Sequence, residues 1–153
     1  MIFINTSIQK IFLFKSNDII FESDISTSEY GLGSILDSNK TPTGLHIVAS
    51  MLGGKLPQGT LFKNRIPTST IINNVPQDNH DYITSRIIRL SGLEDGFNKG
   101  GNVDTFDRYI YIHGTPHVDK LGTAKSHGCI RMSDKDVIKL FNLICIRELV
   151  LID

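Results

Sequence analysis

The sequence predicts a mainly β fold, organised as a single domain over residues 1–153, with one clear helix near the C-terminus. The chain has 153 residues, of which 22 are isoleucine and only two are alanine. β-Branched residues suit the pleated, half-buried surface of a sheet, and scarce alanine removes the strongest helix former. Thirteen glycines and five prolines supply turns. A helical bundle is therefore a poor fit, and a chain of this length is typical of one domain.

Short apolar or alternating runs bounded by turn residues indicate strands along the whole chain. The predicted strands are residues 2–5, 10–15, 18–25, 46–51, 82–90, 109–112 and 145–152. Residues 41–44 (Thr-Pro-Thr-Gly) predict a turn. Residues 91–104 contain four glycines and form a long loop, which we expect to line one wall of a cleft.

The one clear helix is predicted to start after Ser133. Ser133 is a favourable N-cap residue, and Asp136 stands three positions later, where a capping box has its acidic member. A broad apolar face follows. Its members are Val137, Ile138, Leu140, Phe141 and Ile144.

Charge and hydropathy exclude several functional classes. Sixteen basic and sixteen acidic residues give a formal net charge of zero, which argues against bulk electrostatic binding to nucleic acid or an anionic membrane. No segment reaches the roughly 18 apolar residues of a transmembrane helix. Met1 is followed by only three apolar residues before Asn5, so no signal peptide is expected. We expect a cytoplasmic location, or a periplasmic one if an export signal has been removed.

The residues with chemical potential lie between His113 and Arg131. Cys129 stands in a polar loop, and a cysteine attacks as its thiolate, so it needs a nearby base or cation. His127 is two positions away, and His113 ends a predicted strand. Gly128 permits a sharp turn of the backbone, and Arg131 supplies a fixed positive charge suited to a carboxylate.

Two further interpretations concern the surroundings of Cys129. The thiol precedes the predicted helix cap by four residues, so backbone N–H groups at the helix entrance are expected to help hold a thiolate or an oxyanion. A zinc site is the rival interpretation, with four possible ligands. They are His113, His117, His127 and Cys129.

Other polar and reactive residues are predicted to be structural. Cys145, within an apolar run, is expected to be buried as a small hydrophobe. Surface or packing positions are expected for His46 and His80, and packing within a strand is expected for Tyr109 and Tyr111. Arg86 and Arg89 are expected to be solvated charges on a strand.

The motif around Cys129 resembles the active-site signature of the L,D-transpeptidase catalytic domain family (YkuD-type). The resemblance rests on His113-Gly-Thr and on Ser126-His-Gly-Cys-Ile-Arg-Met, which ends at Met132. The Thr-Pro-Thr-Gly turn at residues 41–44 also resembles a turn of that family. The chain is most similar to small members without a signal peptide, such as cytoplasmic L,D-carboxypeptidases.

The resemblance implies an L,D-transpeptidase-like β-sandwich with a catalytic cysteine in a cleft. Cys129 would be the nucleophile and His113 the general base, its ring oriented by a backbone carbonyl near Gly114. The oxyanion and substrate-binding groups would come from Gly114, Ser126, His127, Gly128 and Arg131. No cofactor and no metal are implied.

The implied substrates are peptidoglycan stem peptides or muropeptides, with no nucleic acid or membrane partner. Removal of the terminal D-Ala from a tetrapeptide, by an L,D-carboxypeptidase of peptidoglycan recycling, is the favoured reaction. An L,D-transpeptidase that forms 3-3 crosslinks or exchanges D-amino acids is one alternative. A binding module for stem peptides, without catalysis, is the other.

Overall fold

The computed structural model describes residues 1–78 and 80–153, and these form ten strands and one α-helix. The elements are β1 (Ile2–Asn5), β2 (Lys10–Lys15), β3 (Asp18–Asp24), β4 (Gly44–Leu52), β5 (Thr60–Lys63), β6 (Ile66–Ile71), β7 (Ile83–Gly92), β8 (Tyr111–Thr115), β9 (Ile130–Ser133), α1 (Asp134–Leu143) and β10 (Leu149–Ile152). The predicted mainly β class with one clear helix is confirmed.

All ten strands belong to one curled sheet. Its main path runs β3-β2-β1-β10-β4-β7-β5-β6, while β8 pairs with β7 and β9 pairs with β8. Most neighbours are antiparallel, but β1 lies parallel to β10 and β8 lies parallel to β9. The C-terminal strand therefore sits in the middle of the sheet, between β1 and β4.

The sequence did not predict β5, β6 or β9. β5 and β6 form a hairpin, but β6 (Ile-Pro-Thr-Ser-Thr-Ile) is exposed and lacks the apolar alternation of a half-buried strand. Pro67 suits such a strand because a proline has no N–H to donate to a sheet ladder. β9 has four residues, and its pairing with β8 is set by tertiary structure rather than by a local pattern.

The inner face of the sheet and one face of α1 enclose the core. Two side chains of α1, Val137 and Leu140, are fully buried there. The Ser133 hydroxyl caps the helix, since it accepts from the Asp136 N–H at 3.0 Å. The Asp136 carboxylate accepts from that same hydroxyl at 2.7 Å, so the predicted capping pattern is only half of a reciprocal box.

The sheet closes beside β9. Ser26, just after β3, exchanges two backbone hydrogen bonds with Arg131 of β9, at 3.0 and 2.9 Å. Farther along, Ser28 pairs with Ser126. The loop that contains Cys129 is therefore clamped on both sides, by β8 and by the segment after β3.

Three side chains outside the motif can be compared with the burial that the sequence predicts for them. His46 is fully buried and bonded to the Gly44 carbonyl, which confirms its packing role; burial lowers its pKa to about 4. Cys145 is exposed, not buried. Arg86 is only 5% exposed, because its guanidinium donates to backbone carbonyls, so it is not a solvated charge.

Within residues 1–78 and 80–153, no helix combines the length and apolar character needed to cross a lipid bilayer.

Candidate active site

The parallel pairing of β8 and β9 places the motif residues on one face of the sheet. Ile112 lies opposite Ile130, and both side chains point into the core. Side chains alternate along a strand, so the residues flanking these isoleucines share the other face. They are Tyr111 and His113 on β8, with Cys129 and Arg131 on the adjacent chain.

A tight turn presents Cys129 at the start of β9. Gly128 has φ +124°, a conformation that other residues rarely adopt. The buried Ser126 hydroxyl donates to the Cys129 carbonyl at 2.5 Å and accepts from the Gly128 N–H at 3.3 Å. Ser126 therefore stabilises the turn through these two hydrogen bonds. Its predicted contact with substrate stays a prediction.

The Thr-Pro-Thr-Gly turn supports the same loop from behind. Thr41 is fully buried, and its hydroxyl donates to the Gly128 carbonyl at 2.9 Å while accepting from the Ser28 N–H at 3.0 Å. The turn therefore contributes to the site by fixing Gly128.

The Cys129 sulfur lies against β8. Its Sγ accepts from the Tyr111 N–H at 3.4 Å and lies 3.5 Å from the Tyr109 carbonyl. Apolar neighbours in the cluster formed by Phe62, Ile87 and Tyr111 surround it. Burial raises the pKa of the thiol to about 12, although the Tyr111 N–H and the charge of Arg131 oppose that rise. At neutral pH the resting group is a thiol, and attack requires a base.

The His113 ring is held as a neutral imidazole. The side chain is fully buried, and Nδ1 lies 2.8 Å from the Gly114 carbonyl. A carbonyl only accepts, so this contact assigns the proton to Nδ1 and leaves Nε2 with a free lone pair. Nε2 is buried and has no hydrogen-bond partner among the described residues. Burial also lowers the pKa of His113, although the Asp81 carboxylate opposes that effect.

Position 114, next to His113, has no room for a side chain. A Cβ atom at Gly114 would come within 2.5 Å of the Thr84 carbonyl oxygen and would also collide with the Asp134 carboxylate. Gly114 therefore allows β8 to lie close to β7. Its own carbonyl is the acceptor for Nδ1 of His113.

Arg131 is paired inside the protein. Its side chain is 3% exposed, and Nη2 lies 2.7 Å from Oδ2 of Asp81. The same carboxylate oxygen lies 3.3 Å from Nδ1 of His127, whose Nε2 is 3.9 Å from Glu29. Burial alone would raise the pKa of Asp81, but its electrostatic interaction with His113 and the hydrogen bond and charge of Arg131 outweigh burial, so the pKa lies below its usual value.

Asp81 was not among the residues predicted from the sequence. The residue stands just before β7, far from the motif along the chain, and no local pattern distinguishes its carboxylate from other exposed aspartates. Its importance follows only from the contacts with Arg131 and His127.

Two depressions meet at His127, whose side chain is 44% exposed. The larger, of about 460 Å³, is lined by Glu29, Asp119, Lys120, Thr123, Lys125, His127 and Arg131. The smaller, of about 100 Å³, is lined by Leu36, Asp37, Asn39, Arg108, Ile110 and His127. The loop at residues 91–104 contacts one wall of the smaller depression, since the Asn102 carbonyl accepts from the N–H of Leu36 at 2.7 Å.

Two interpretations of the surroundings of Cys129 are not supported. The extended residues of β9 separate Cys129 from α1 by roughly 13 Å, at about 3.3 Å per residue. The helix entrance therefore does not stabilise the thiolate. Among the described residues, no group of three or more His, Cys, Asp or Glu side chains is arranged to hold a metal ion. His117, a proposed ligand, instead contacts the His80 carbonyl at 3.1 Å.

Comparison with protein families gives one match, to the L,D-transpeptidase catalytic domain (YkuD), over residues 1–152. A search of curated proteins finds no significant match.

Three similar solved structures each align with 99% of this chain. An L,D-transpeptidase from Mycobacterium smegmatis is 15% identical, with a TM-score of 0.62, and the match covers 57% of that protein. An Enterococcus faecium L,D-transpeptidase is 15% identical, with a TM-score of 0.61 and 48% of its length covered. Mycobacterium tuberculosis L,D-transpeptidase 3, in complex with a faropenem-derived adduct, is 16% identical, with a TM-score of 0.58 and 59% covered. The chain thus spans about half to three fifths of these proteins.

Proposed function

The chain belongs to the L,D-transpeptidase catalytic domain family, and from that premise we propose that it is a cysteine acyl-transfer enzyme acting on peptidoglycan stem peptides. We further propose that it is an L,D-carboxypeptidase, which removes the terminal D-Ala of a muropeptide tetrapeptide. The observation that carries the proposal is the pairing of a buried, neutral His113, with Nε2 free, and a protonated Cys129 on the same face of adjacent strands.

The first half-reaction forms an acyl-enzyme. Nε2 of His113 takes the Cys129 proton as Sγ attacks the carbonyl carbon between the L-centre of the diamino acid and D-Ala. The new C–S bond gives a tetrahedral oxyanion. Its collapse breaks the C–N bond, and the proton on Nε2 passes to the departing amine of D-Ala. Since both groups start neutral, proton transfer accompanies attack.

The second half-reaction releases the tripeptide. His113 takes a proton from a water molecule as its oxygen attacks the thioester carbon, and the C–S bond then breaks. The same proton returns to Cys129, which restores both neutral groups. In the transpeptidase alternative, an amine from a second stem peptide replaces water.

The oxyanion would be stabilised at the turn before β9. His127 and the N–H groups of Gly128 and Cys129 are the proposed donors. The Gly128 N–H makes only a long bond of 3.3 Å to Ser126, which a stronger acceptor can replace. Arg131 acts by orienting this turn through Asp81, in addition to any contact with substrate.

The acceptor is proposed to approach beside His127. The smaller depression, of about 100 Å³, adjoins the Gly128 turn through Ile110 and is open to solvent. The access of water to this depression supports hydrolysis as the proposed reaction.

Mass spectrometry of the products of a disaccharide tetrapeptide tests the reaction. We expect the tripeptide and free D-Ala from the wild-type protein, no product from Cys129→Ala and almost none from His113→Ala. The matched control is Cys145→Ser, which alters the exposed cysteine and should keep full activity. Crosslinked dimers or D-amino-acid exchange without tripeptide would show that the transpeptidase alternative is right.

A binding module without catalysis is distinguished by a covalent probe. Faropenem should add to Cys129 and not to Cys129→Ala, because acylation needs only the nucleophile and its base. Tight binding of the tetrapeptide with neither an adduct nor a product would support the binding module instead.

The proposal includes a cytoplasmic location, where soluble muropeptides would be the substrates. Immunodetection of the native protein in cell fractions tests this part separately; recovery in the periplasm would overturn it.

A further inference from the structure

Two arginines converge on Tyr109 beside the nucleophile. The Cζ atom of Arg65 lies 4.5 Å from the centroid of the Tyr109 ring, and that of Arg89 lies 4.7 Å from it. Arg89 also stacks on Phe106 at 3.4 Å. The Tyr109 carbonyl is 3.5 Å from Sγ of Cys129, so the residue on which both cations stack adjoins the reacting sulfur.

The hairpin turn and the loop before β8 bring this cluster together. Asn64 and Arg65 form the two-residue tip of the β5–β6 hairpin, and their φ angles of +49° and +67° are the positive values that such a turn requires. Tyr109 has φ +56°, which is uncommon for a bulky aromatic residue outside a hairpin turn. Unusual conformations of this kind concentrate at functional sites, and this one adjoins Cys129.

The cluster lacks an anion. Among residues 1–78 and 80–153, neither Arg65 nor Arg89 forms an ion pair with a carboxylate. Nε of Arg89 is buried without a hydrogen-bond partner in the same range. Nη2 of Arg89 donates to the Phe106 carbonyl at 2.7 Å, but stacking uses only the flat faces of the guanidinium groups, so further N–H donors remain at their edges.

A buried hydroxyl points to the same ligand. Tyr111 is only 4% exposed, yet its hydroxyl has no partner with acceptable geometry among the described residues, although Arg65 lies beside it. Buried polar groups in native proteins are normally satisfied, and an exception requires an explanation such as an absent ligand. A carboxylate would accept from the hydroxyl and from both guanidinium groups.

We propose that Arg65, Arg89 and the Tyr111 hydroxyl form a carboxylate subsite that binds the C-terminal carboxylate of the residue to be released. This inference rests on the proposed function, because it takes the substrate to be a stem peptide ending in a free D-amino acid. That carboxylate is separated from the scissile carbonyl carbon by about one residue, roughly 3.8 Å. Tyr111 packs against Cys129, and the Tyr109 carbonyl and the Tyr111 N–H contact Sγ, so the cluster lies on the Tyr109 side of the nucleophile.

Binding to an inactive protein tests the subsite without requiring turnover. In a Cys129→Ala background, calorimetry would compare a disaccharide tetrapeptide with its C-terminal carboxamide. The acid should bind at least tenfold more tightly, as expected for hydrogen bonds to a charged group. Arg65→Gln, Arg89→Gln and Tyr111→Phe should each remove most of that preference by weakening the acid alone.

The control is Arg147→Gln, which removes an exposed arginine outside the cluster and should leave both affinities unchanged. Equal affinity for acid and amide in the Cys129→Ala background would overturn the subsite. So would variants that weaken both ligands equally, since that is the result of a merely structural role.

The two proposals fail in different experiments. If the active protein gives no tripeptide but the acid preference depends on Arg65 and Arg89, the carboxypeptidase is wrong and the subsite stands. If tripeptide forms without any acid preference, the subsite is wrong and the carboxypeptidase stands.

Discussion

Replacing Asp81 by Asn tests the network that holds the Cys129 turn. The substitution keeps the shape but removes the charge that Arg131 faces at 2.7 Å, where the two side chains are 3% and 26% exposed. Breaking a fully buried pair costs about 3–5 kcal/mol, and the partial exposure of Asp81 together with the remaining amide oxygen lowers our expectation to about 2–3 kcal/mol. For a chain of about 150 residues this corresponds to a fall in Tm of roughly 4–12 °C.

The loss should depend on pH in a defined direction. The pKa of Asp81 in the folded protein lies below its usual value of 3.8, so folding favours the ionised carboxylate. The stabilisation is therefore fully present above the unfolded pKa and disappears as the pH falls through the folded pKa. Thermal unfolding followed by circular dichroism should show the largest difference at pH 7, and the difference should shrink below pH 3.8.

The matched control is Asp95→Asn. Asp95 is 86% exposed and pairs with Lys99 at 3.0 Å, so its loss should change Tm by only about 1 °C, as for other surface pairs. An unchanged Tm for Asp81→Asn at pH 7, or a difference that persists undiminished in acid, would refute the reasoning about the buried pair.

Three further outcomes are expected. Ser133→Ala removes the cap of α1 and should lower the free energy of unfolding by about 1 kcal/mol without loss of turnover, measured by urea denaturation; no change would mean the cap is redundant. In a Cys145→Ser background, iodoacetamide should modify Cys129 slowly at pH 7. The rate should rise about tenfold per pH unit and reach no plateau below pH 10, because the thiol pKa is about 12; a plateau near pH 8 would contradict this. Gly114→Ala should abolish turnover and lower Tm, since its Cβ would collide with β7; a stable, active variant would show that β8 can move.

The candidate nucleophile and base could be predicted because they are encoded locally. Cys129 lies within a contiguous motif, and His113 ends an apolar strand, so both are recognisable without any tertiary contact. The helix after Ser133 was predicted for the same reason, since its cap and its apolar face lie within a few turns.

Contacts between distant parts of the chain could not be predicted. Asp81 stands just before β7, and Arg65 lies in the turn between β5 and β6, so neither belongs to a recognisable motif. Each becomes important only through contacts that form in the folded sheet. Arg86 was expected to be exposed, but it is buried because carbonyl groups of the chain accept from its guanidinium. Tyr109, expected to pack within a strand, is 47% exposed and left-handed, because it ends the loop before β8.

Composition, periodicity and short motifs were enough to predict the β class, the helix and the chemistry available at Cys129 and His113, because none of them depends on tertiary contacts. The protonation of that pair follows from the folded structure. The pKa of each group depends on desolvation by everything packed around it, and on charges such as Asp81 that reach the site through the fold. The fold buries His113 fully and Cys129 in part, so the resting state is a thiol and a neutral imidazole.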